Sequence, residues 1–307
     1  MDRDGAIILM GEDIGVYGGA YGVTRGLYEE YGPDRVRDTP ISEAFIVGGG
    51  LGAALTGLRP VAEIMYIDFI GLAMDQLANQ VAKIRYMTGG KARVPMVVRS
   101  VCGTGRTLGA HHSQSLEAWL LHVPGLKLVM PSTPYDAKGL LKSAIRQEDP
   151  VVFIEHKMLY KTKGPVPEGE YVIPLGVADI KREGNDVTIV TYSRMVLRAL
   201  EAAEILAGEG IDVEVVDLRS LCPMDEATVI QSVKKTHRVL VLHEAVKTCG
   251  VGAEISAKIM ENAFDFLDCP VVRLAGADVP IPKSPVLEEH AIPRVEDIVS
   301  SIREMMV

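Results

Sequence analysis

The 307-residue sequence has few cysteines and no long apolar run. Its four cysteines, Cys102, Cys222, Cys249 and Cys269, are far apart and form no C-x-x-C pair. This argues against a structural zinc site or a disulfide framework and favours a reducing compartment. No stretch has the features of a signal peptide, an arginine-rich leader or a transmembrane helix. We therefore expect a cytoplasmic protein with no membrane partner.

Basic residues are fewer than acidic ones, 32 against 41, so the formal net charge is −9. That balance argues against a nucleic-acid-binding surface. A phosphate loop of the type G-x-x-x-x-G-K-[ST] is missing as well. What remains is an ordinary globular composition, 48% hydrophobic and 24% charged, in a chain long enough for two domains.

Short apolar strands alternate with helical patterns along the first half of the chain. The predicted strands are Ala6–Met10, Val61–Met65, Val94–Arg99, Leu126–Met130 and Val151–Glu155. The predicted helices are Phe69–Tyr86, a segment around Ser115–Leu121, and Asp136–Arg146. Such alternation is typical of a mainly parallel sheet covered by helices on both faces. It indicates an α/β fold, with a first domain at residues 1–160.

Residues 161–177 are rich in proline, glycine and charge, which predicts a linker. After it, Ala178–Lys181 and Val187–Tyr192 flank a turn-like segment and are expected to form a hairpin. The alternation then resumes, with helices at Val196–Ala207, Asp225–Val233, Ala253–Glu261 and Val295–Met305 and strands at Val213–Leu218, Val239–His243 and Val271–Leu274. Residues 178–307 are thus predicted to be a second, smaller α/β domain.

Thr39–Glu43 leads into a segment of small residues that extends to Ala54. Pro40 disfavours helix before it and Ser42 is a good N-cap, so a buried helix is expected to begin near Glu43. A carboxylate in a first turn is stabilised by the helix N-terminus, but it is costly if it is dry and unpaired. Local sequence alone favours a simple capping role for Glu43.

The glycines in this helix offer another interpretation. Gly48, Gly50 and Ala53 fit the G-x-G-x-x-A spacing of a dinucleotide site, with Glu63 further on. That fingerprint requires a helix that begins at the glycines, whereas the start signals place them inside the helix. We interpret them as a close packing surface, and a pyridine-nucleotide dehydrogenase is an outside alternative.

Several short segments in order carry a family resemblance. They are Thr39–Glu43, Gly57–Pro60, Asp75-Gln76, His112–Ser115, Pro124–Lys127, Asp136–Leu140 and Asp149-Pro150. Together they resemble the β subunit of the E1 component of 2-oxo acid dehydrogenase complexes, which includes pyruvate, branched-chain and acetoin enzymes. The similarity covers essentially the whole chain. It implies two doubly wound domains, a transketolase-like pyrimidine-binding domain and a smaller transketolase C-terminal domain.

The resemblance implies thiamine diphosphate as cofactor and a site for its pyrimidine ring. Glu43 matches the activating glutamate, whose carboxyl group shares a proton with N1′ of the ring. Ile41, Met65 and Phe69 match pocket walls, with Phe69 stacked on the ring, although plain core packing would suit them equally. His112 matches a histidine at the mouth of the active site, with an ordinary surface histidine as the alternative. The adjacent His111 has no match, and zinc binding by this pair is improbable.

Metal sites are implied by the resemblance in two ways. The family signature for Mg²⁺, Gly-Asp-Gly followed by Asn, is absent here, so the cation and the diphosphate are expected on a partner α subunit. A K⁺ site is implied at five positions, which are Met96, Ala144, Ile145, Gln147 and Asp149. Gln147 replaces the commoner acid, and a hydrated helix C-terminus is an equally good interpretation.

The expected function is therefore that of an E1 β subunit in an α2β2 heterotetramer. The resemblance implies oxidative decarboxylation of pyruvate or a branched-chain 2-oxo acid, or cleavage of acetoin, with acyl transfer to the lipoyl group of an E2 acyltransferase. Two alternatives stay open, a self-contained transketolase-like enzyme and a non-catalytic assembly subunit.

Overall fold

The computed structural model describes all residues from 1 to 307, and its first half is built on a seven-stranded sheet. Six of its strands come from the first half: β1 Ile7–Gly11, β2 Val36–Asp38, β3 Arg59–Ile64, β4 Val97–Cys102, β5 Lys127–Val129 and β6 Val151–His156. These six are parallel, in the order β5-β6-β4-β3-β1-β2. Their residues are mostly apolar and buried, as expected for a sheet covered on both faces.

A five-stranded sheet organises the second half. The strands that follow β6 are β7 Asp179–Arg182, β8 Val187–Thr191, β9 Val213–Asp217, β10 Ser220–Cys222, β11 Val239–Val246 and β12 Val272–Gly276. Five of them form a sheet in the order β12-β11-β8-β9-β7, in which only β7 is antiparallel. β10 instead joins the first sheet, antiparallel to β5. The two sheets are therefore connected by a strand as well as by the chain between them.

Ten α-helices cover the sheets. They are α1 Leu27–Tyr31, α2 Glu43–Leu55, α3 Ile84–Met87, α4 Glu117–Leu121, α5 Pro134–Ile145, α6 Met195–Ala207, α7 Glu226–Thr236, α8 Val251–Ala263, α9 Pro285–His290 and α10 Val295–Met305. α5 begins where the Thr133 side chain accepts a hydrogen bond from the Asp136 N–H at 3.1 Å. No helix is both long enough and apolar enough to cross a membrane.

The predicted hairpin at Ala178–Tyr192 is wrong. β7 pairs with β9 rather than with β8, so β9 lies between them. The connecting turn lies against the start of β9, because the N–H groups of Asn185 and Asp186 both donate to the Asp212 carbonyl. A Cβ atom at Gly184 would lie 2.3 Å from the Glu214 nitrogen. This close approach inserts β9 and prevents the two predicted strands from pairing.

The predicted helix Phe69–Tyr86 is broken into three pieces. Residues Ile67–Ala73 form a 3₁₀ helix, Asp75–Val81 a π-helical segment, and α3 follows. Buried Ile67, Ile70 and Ala73 recur every third residue, which suits the 3₁₀ geometry, in which such side chains are aligned. Apolar spacing alone predicted the helical state but not its changes of pitch.

The segment predicted as a linker is ordered against α5. Ile173 is buried and its N–H donates to the Gly139 carbonyl, while the Ser143 hydroxyl donates to the Ile173 carbonyl. Tyr171 stacks on Tyr135 with ring centroids 4.6 Å apart. The passage between the two sheets is therefore held in place by packing.

Candidate active site

The candidate site lies at the carboxyl edge of the first sheet. Five parallel strands end there. The segments that follow them are Glu12 after β1, Glu43 after β2, Met65 after β3, residues 103–114 after β4 and Lys157 after β6. In open α/β sheets, ligands bind outside the carboxyl ends of the strands. The topology therefore collects these residues at one crevice.

Glu43 is the first residue of α2, as the sequence predicted, and only 8% of it is exposed. Its carboxylate makes no hydrogen bond or ion pair within the chain, and the Ser42 side chain does not cap the helix either. A buried carboxylate without a partner is costly, so this position calls for a ligand that donates a proton or a hydrogen bond. Glu12 lies close by, where burial and then the charges of Asp13 and Glu43 raise its pKa. This edge of the crevice is thus rich in negative charge.

Phe69 and His112 come together although they are far apart in sequence. Their ring centroids are 5.4 Å apart and the rings meet edge to face. Tyr66, which the sequence analysis missed, lies beside both, with its centroid 4.9 Å from that of His112 and 6.5 Å from that of Phe69. Lys157 Nζ lies 5.4 Å from the Tyr66 centroid and donates to the His112 carbonyl. The result is an aromatic wall with a histidine at its edge.

Met65 and Ile41 are placed differently. Met65 is half-buried at the end of β3, next to the aromatic wall. Ile41 is 74% exposed, and Phe45 one turn along α2 is 57% exposed. Within this chain, Ile41 therefore covers nothing, and only a further molecule against α2 would bury it.

A buried network of acids and bases supports the crevice from behind. The Glu244 carboxylate accepts from the Thr104 N–H at 2.7 Å and from His156 Nε2 at 2.9 Å. Burial alone would raise the pKa of Glu244, but His156 and Arg194 outweigh it and hold that pKa well below its usual range. Burial lowers the pKa of His156, and its Nδ1 accepts from the Met158 N–H, which fits the neutral ring. Isolated acids and histidines in the sequence gave no signal for this network.

The five residues predicted to hold K⁺ lie at the opposite edge of the sheet, just before β4 and β6. The carbonyls of Ile145 and Gln147 accept from Arg59 Nη1 at 3.1 and 3.0 Å. Lys127 Nζ lies 2.6 Å from the Gln147 side-chain oxygen and 3.3 Å from the Asp149 carboxylate, which also pairs with Arg85. This arrangement fits a potassium ion poorly, because side-chain cations already hold these oxygens. Nowhere does the chain gather three histidine, cysteine or acidic residues that could bind a metal ion.

Two family descriptions match the chain. Residues 1–163 match the transketolase pyrimidine-binding domain and residues 176–298 the transketolase C-terminal domain. A solved structure described as a split-gene transketolase, an inactive beta4 tetramer, superposes with a TM-score of 0.81 at 23% identity and covers 99% of this chain and 93% of that one. The chain therefore has the two-domain transketolase-like fold, and the predicted fold class is confirmed.

Three relatives align over the full chain. The β subunit of acetoin:2,6-dichlorophenolindophenol oxidoreductase from Cupriavidus necator is 50% identical to this chain, and the alignment covers 93% of that subunit. The corresponding subunit from Bacillus subtilis is 48% identical and 93% covered. The pyruvate dehydrogenase E1 β subunit from Porphyra purpurea is 49% identical and 92% covered. The chain belongs to the family of pyruvate and acetoin dehydrogenase E1 β subunits, and the predicted resemblance is confirmed.

Proposed function

We propose that this chain is the β half of a thiamine-diphosphate-dependent E1 enzyme that acts on pyruvate, a branched-chain 2-oxo acid or acetoin. The observation that carries the proposal is the buried, unpartnered Glu43 carboxylate, at the carboxyl edge of a pyrimidine-binding domain. When bound, thiamine diphosphate supplies the nucleophilic carbon that attacks the substrate carbonyl group and accepts its electrons.

Glu43 holds a proton at N1′ of the cofactor pyrimidine in this proposal. With that proton held by Glu43, the neighbouring amino group of the cofactor would be acidic enough to lose a proton of its own and could then serve as the base. The crevice favours this sharing, because Glu43 is largely buried and its carboxylate has no donor in the protein, so the ring would supply its strongest hydrogen bond. Ile41, Met65 and Phe69 are proposed as the walls that exclude water from this contact.

His112 is proposed to act at the mouth of the site, where it would hold or deliver a proton during acyl transfer to a lipoyl group. Its ring is half-buried against Phe69 and Tyr66, and its backbone is fixed by Lys157. Histidine is the side chain that most often transfers a proton in enzymes.

A second subunit completes the site in this proposal. Ile41, just before α2, and Phe45, in its first turn, form an exposed apolar edge next to Glu43, which an E1 α partner would cover in an α2β2 assembly. We also assign the diphosphate group and Mg²⁺ to that partner, since the sequence of this chain has no Gly-Asp-Gly signature followed by Asn. K⁺ binding at the five predicted residues stays a prediction, and the contacts that Arg59, Lys127 and Arg85 make there argue against it.

The remaining assignments are broader. We propose that residues 1–160 hold the cofactor pyrimidine and that residues 161–177 connect this domain to the second one. We also propose that the domain of residues 178–307 offers a surface for an E2 acyltransferase. A cytoplasmic location fits the lack of membrane-spanning helices in the chain. A self-contained transketolase-like enzyme is the second candidate, because two transketolase domain descriptions match the chain.

A substrate panel with and without the α partner tests the proposal. The chain is co-expressed with a candidate E1 α subunit and assayed with pyruvate, branched-chain 2-oxo acids and acetoin, with 2,6-dichlorophenolindophenol as electron acceptor. Thiamine diphosphate and Mg²⁺ are added or withheld, and Glu43→Gln is run beside the wild type. The conservative control is Glu30→Gln, which changes an exposed acid on α1.

We expect cofactor-dependent activity only with the partner, and a loss of about 100-fold or more in Glu43→Gln. Activity of the β chain alone with sugar phosphates would favour the transketolase alternative. A fully active Glu43→Gln heterotetramer would favour the alternative that this chain is a non-catalytic assembly subunit.

A further inference from the structure

His112 lies on a closed loop between β4 and α4. The loop comprises residues 103–114, and the Gly103 N–H donates to the Gln114 carbonyl at 3.0 Å, which joins its two ends. Compact loops with close ends are often functional elements, whose shape depends on their anchors. Which groups hold this loop therefore decides where the imidazole ring lies.

Four residues of the loop have positive φ, which glycine adopts easily and other residues do not. Gly103, Gly105 and Gly109 have φ values of 90°, 99° and 76°, and Thr107 has φ 54°. Positive φ is rare for a β-branched residue and is kept only where the surroundings enforce it. Something outside the loop must therefore hold Thr107.

That group is Glu288, on α9 in the second half of the chain. Its Oε1 atom accepts from the Gly105 N–H at 2.9 Å and its Oε2 atom from the Thr107 N–H at 3.0 Å. Only 3% of Glu288 is exposed, and its side chain makes no other hydrogen bond. Both oxygens of a buried carboxylate are thus used to fix two alternate residues of one turn.

The other anchors of the loop are at its ends. Glu244 accepts from the Thr104 N–H, Asp68 accepts from the Gln114 N–H, and Lys157 donates to the His112 carbonyl. Between residues 105 and 111, Glu288 accepts the only backbone hydrogen bonds that leave the loop. The conformation of residues 105–111, the arc of the loop, therefore depends on Glu288.

We propose that Glu288 is a positioning residue for His112, by which the C-terminal domain sets the geometry of the catalytic loop. The inference rests on the proposed role of His112. Without the two charge-assisted hydrogen bonds, Thr107 relaxes toward negative φ and the arc shortens or shifts. The imidazole then leaves the geometry in which it serves the acyl transfer, while the cofactor crevice around Glu43 is unchanged.

The test is a double-mutant cycle in the assembled heterotetramer with thiamine diphosphate and Mg²⁺. Glu288→Gln, His112→Ala and the double variant are assayed for acylation of a recombinant lipoyl domain. We expect Glu288→Gln to lower kcat about ten- to 100-fold, because small misplacements of a reacting group cost this much. The KM for the 2-oxo acid or acetoin should stay within about twofold of the wild-type value, because the variant does not change how that substrate binds. In the His112→Ala background, Glu288→Gln should have little further effect.

Two variants serve as controls. Glu289→Gln changes the neighbouring acid, which pairs with Arg198 and does not contact the loop, so its kcat should equal that of the wild type. Glu288→Asp keeps a carboxylate with two acceptor oxygens and should recover part of the lost kcat.

The outcomes separate the two ideas. If His112→Ala acylates normally, the proposed role of His112 fails and the inference falls with it. If His112→Ala is impaired but the effect of Glu288→Gln is absent, or multiplies with that of His112→Ala, only the inference fails.

Hydrogen exchange keeps the inference testable should Glu288→Gln not assemble. In the wild-type heterotetramer the amides of Gly105 and Thr107 should exchange far more slowly than unstructured peptide, and Glu288→Asp should speed them. Exchange at the unstructured rate in the wild type would overturn the proposal.

Discussion

The rings of Phe69 and His112 lie edge to face with centroids 5.4 Å apart, which joins the proposed cofactor wall to the proposed proton-transfer group. Phe69 belongs to the 3₁₀ segment after β3, and His112 to the loop after β4. Because β3 and β4 are adjacent parallel strands, the sheet sets the spacing of these two residues. A change in one ring should therefore be felt at the other.

We expect Phe69→Ala to weaken activation by thiamine diphosphate about tenfold, since an aromatic contact and its buried surface are both lost. Phe69→Leu should lose less, because it keeps most of the apolar surface. The measurement is the cofactor concentration that gives half-maximal activity in the heterotetramer.

Phe266→Ala is the matched control for this prediction. That ring is 42% exposed in the second half of the chain and contacts Lys234. An unchanged activation constant in Phe69→Ala would show that Phe69 is core packing, the alternative that the sequence left open.

Gly103→Ala should disrupt the loop of residues 103–114 at its first residue. A Cβ atom there would lie 1.9 Å from His156 Nε2, and φ is 90°. We expect a loss of about 2–4 kcal/mol in stability, or a displaced loop with little acylation activity.

Thermal unfolding and lipoyl acylation should be measured together, because either outcome follows from the same clash. Gly5→Ala is the control, since a Cβ atom at that position meets nothing within 4 Å. A Gly103→Ala variant with wild-type stability and activity would mean that the loop approaches His156 less closely than described.

The buried Arg99 gives two variants with opposite expectations. Its guanidinium pairs with both Glu63 and Glu155, and it donates to the Tyr160 hydroxyl group at 2.7 Å. Arg99→Met leaves the buried Glu63 and the partly buried Glu155 carboxylates without a cation and should cost about 3–5 kcal/mol. Glu63→Gln leaves Arg99 paired with Glu155 and should cost clearly less.

Denaturant unfolding of the two variants checks this order. Burial raises the pKa of Glu63, against the opposing effect of Arg99, so removal of its charge relieves part of the desolvation cost. A larger loss in Glu63→Gln than in Arg99→Met would contradict the account.

Local sequence patterns predicted the elements better than the contacts between them. α2 begins at Glu43, as the signals at Pro40 and Ser42 predicted, although the Ser42 side chain makes no capping hydrogen bond, and α5 and β6 follow equally plain signals. By contrast, β9 lies between β7 and β8 through backbone contacts of Gly184 with residues about 30 positions away. Short-range periodicity carries no record of such pairings.

The candidate site shows the same limit. Resemblance placed Glu43, Phe69 and His112 at one site, and the structure brings Phe69 and His112 into contact. The resemblance could not indicate Tyr66 or Glu288, because neither lies in a recognisable local motif and both contact residues that are far away in the sequence. Ile41 depends on a surface outside this chain, so neither the sequence nor the single chain defines its contacts.

Asp217 gives a prediction about pH. It is fully buried between the two sheets, where the Ser132 hydroxyl donates to it at 2.5 Å and Lys181 lies 3.6 Å away. Burial raises its pKa to about 6, more than the opposing effect of Lys181 lowers it. An acid whose pKa is raised by folding binds its proton more tightly in the folded state, so this group stabilises below pH 4 and loses that contribution as the pH rises to about 6.

The full difference for Asp217 corresponds to about 3 kcal/mol. Asp217→Asn removes the titration, so the stability of the variant relative to the wild type should rise by about 2 kcal/mol between pH 4.5 and pH 7.5, because the rest of the difference lies below pH 4.5. The measurement is denaturant unfolding of both proteins at the two pH values, and Asp212→Asn, which changes a more exposed acid next to β9, is the control. A relative stability that is equal at both pH values would mean that Asp217 keeps an ordinary pKa through its contacts with Lys181 and Ser132. A relative stability that falls with pH would mean that these contacts outweigh burial.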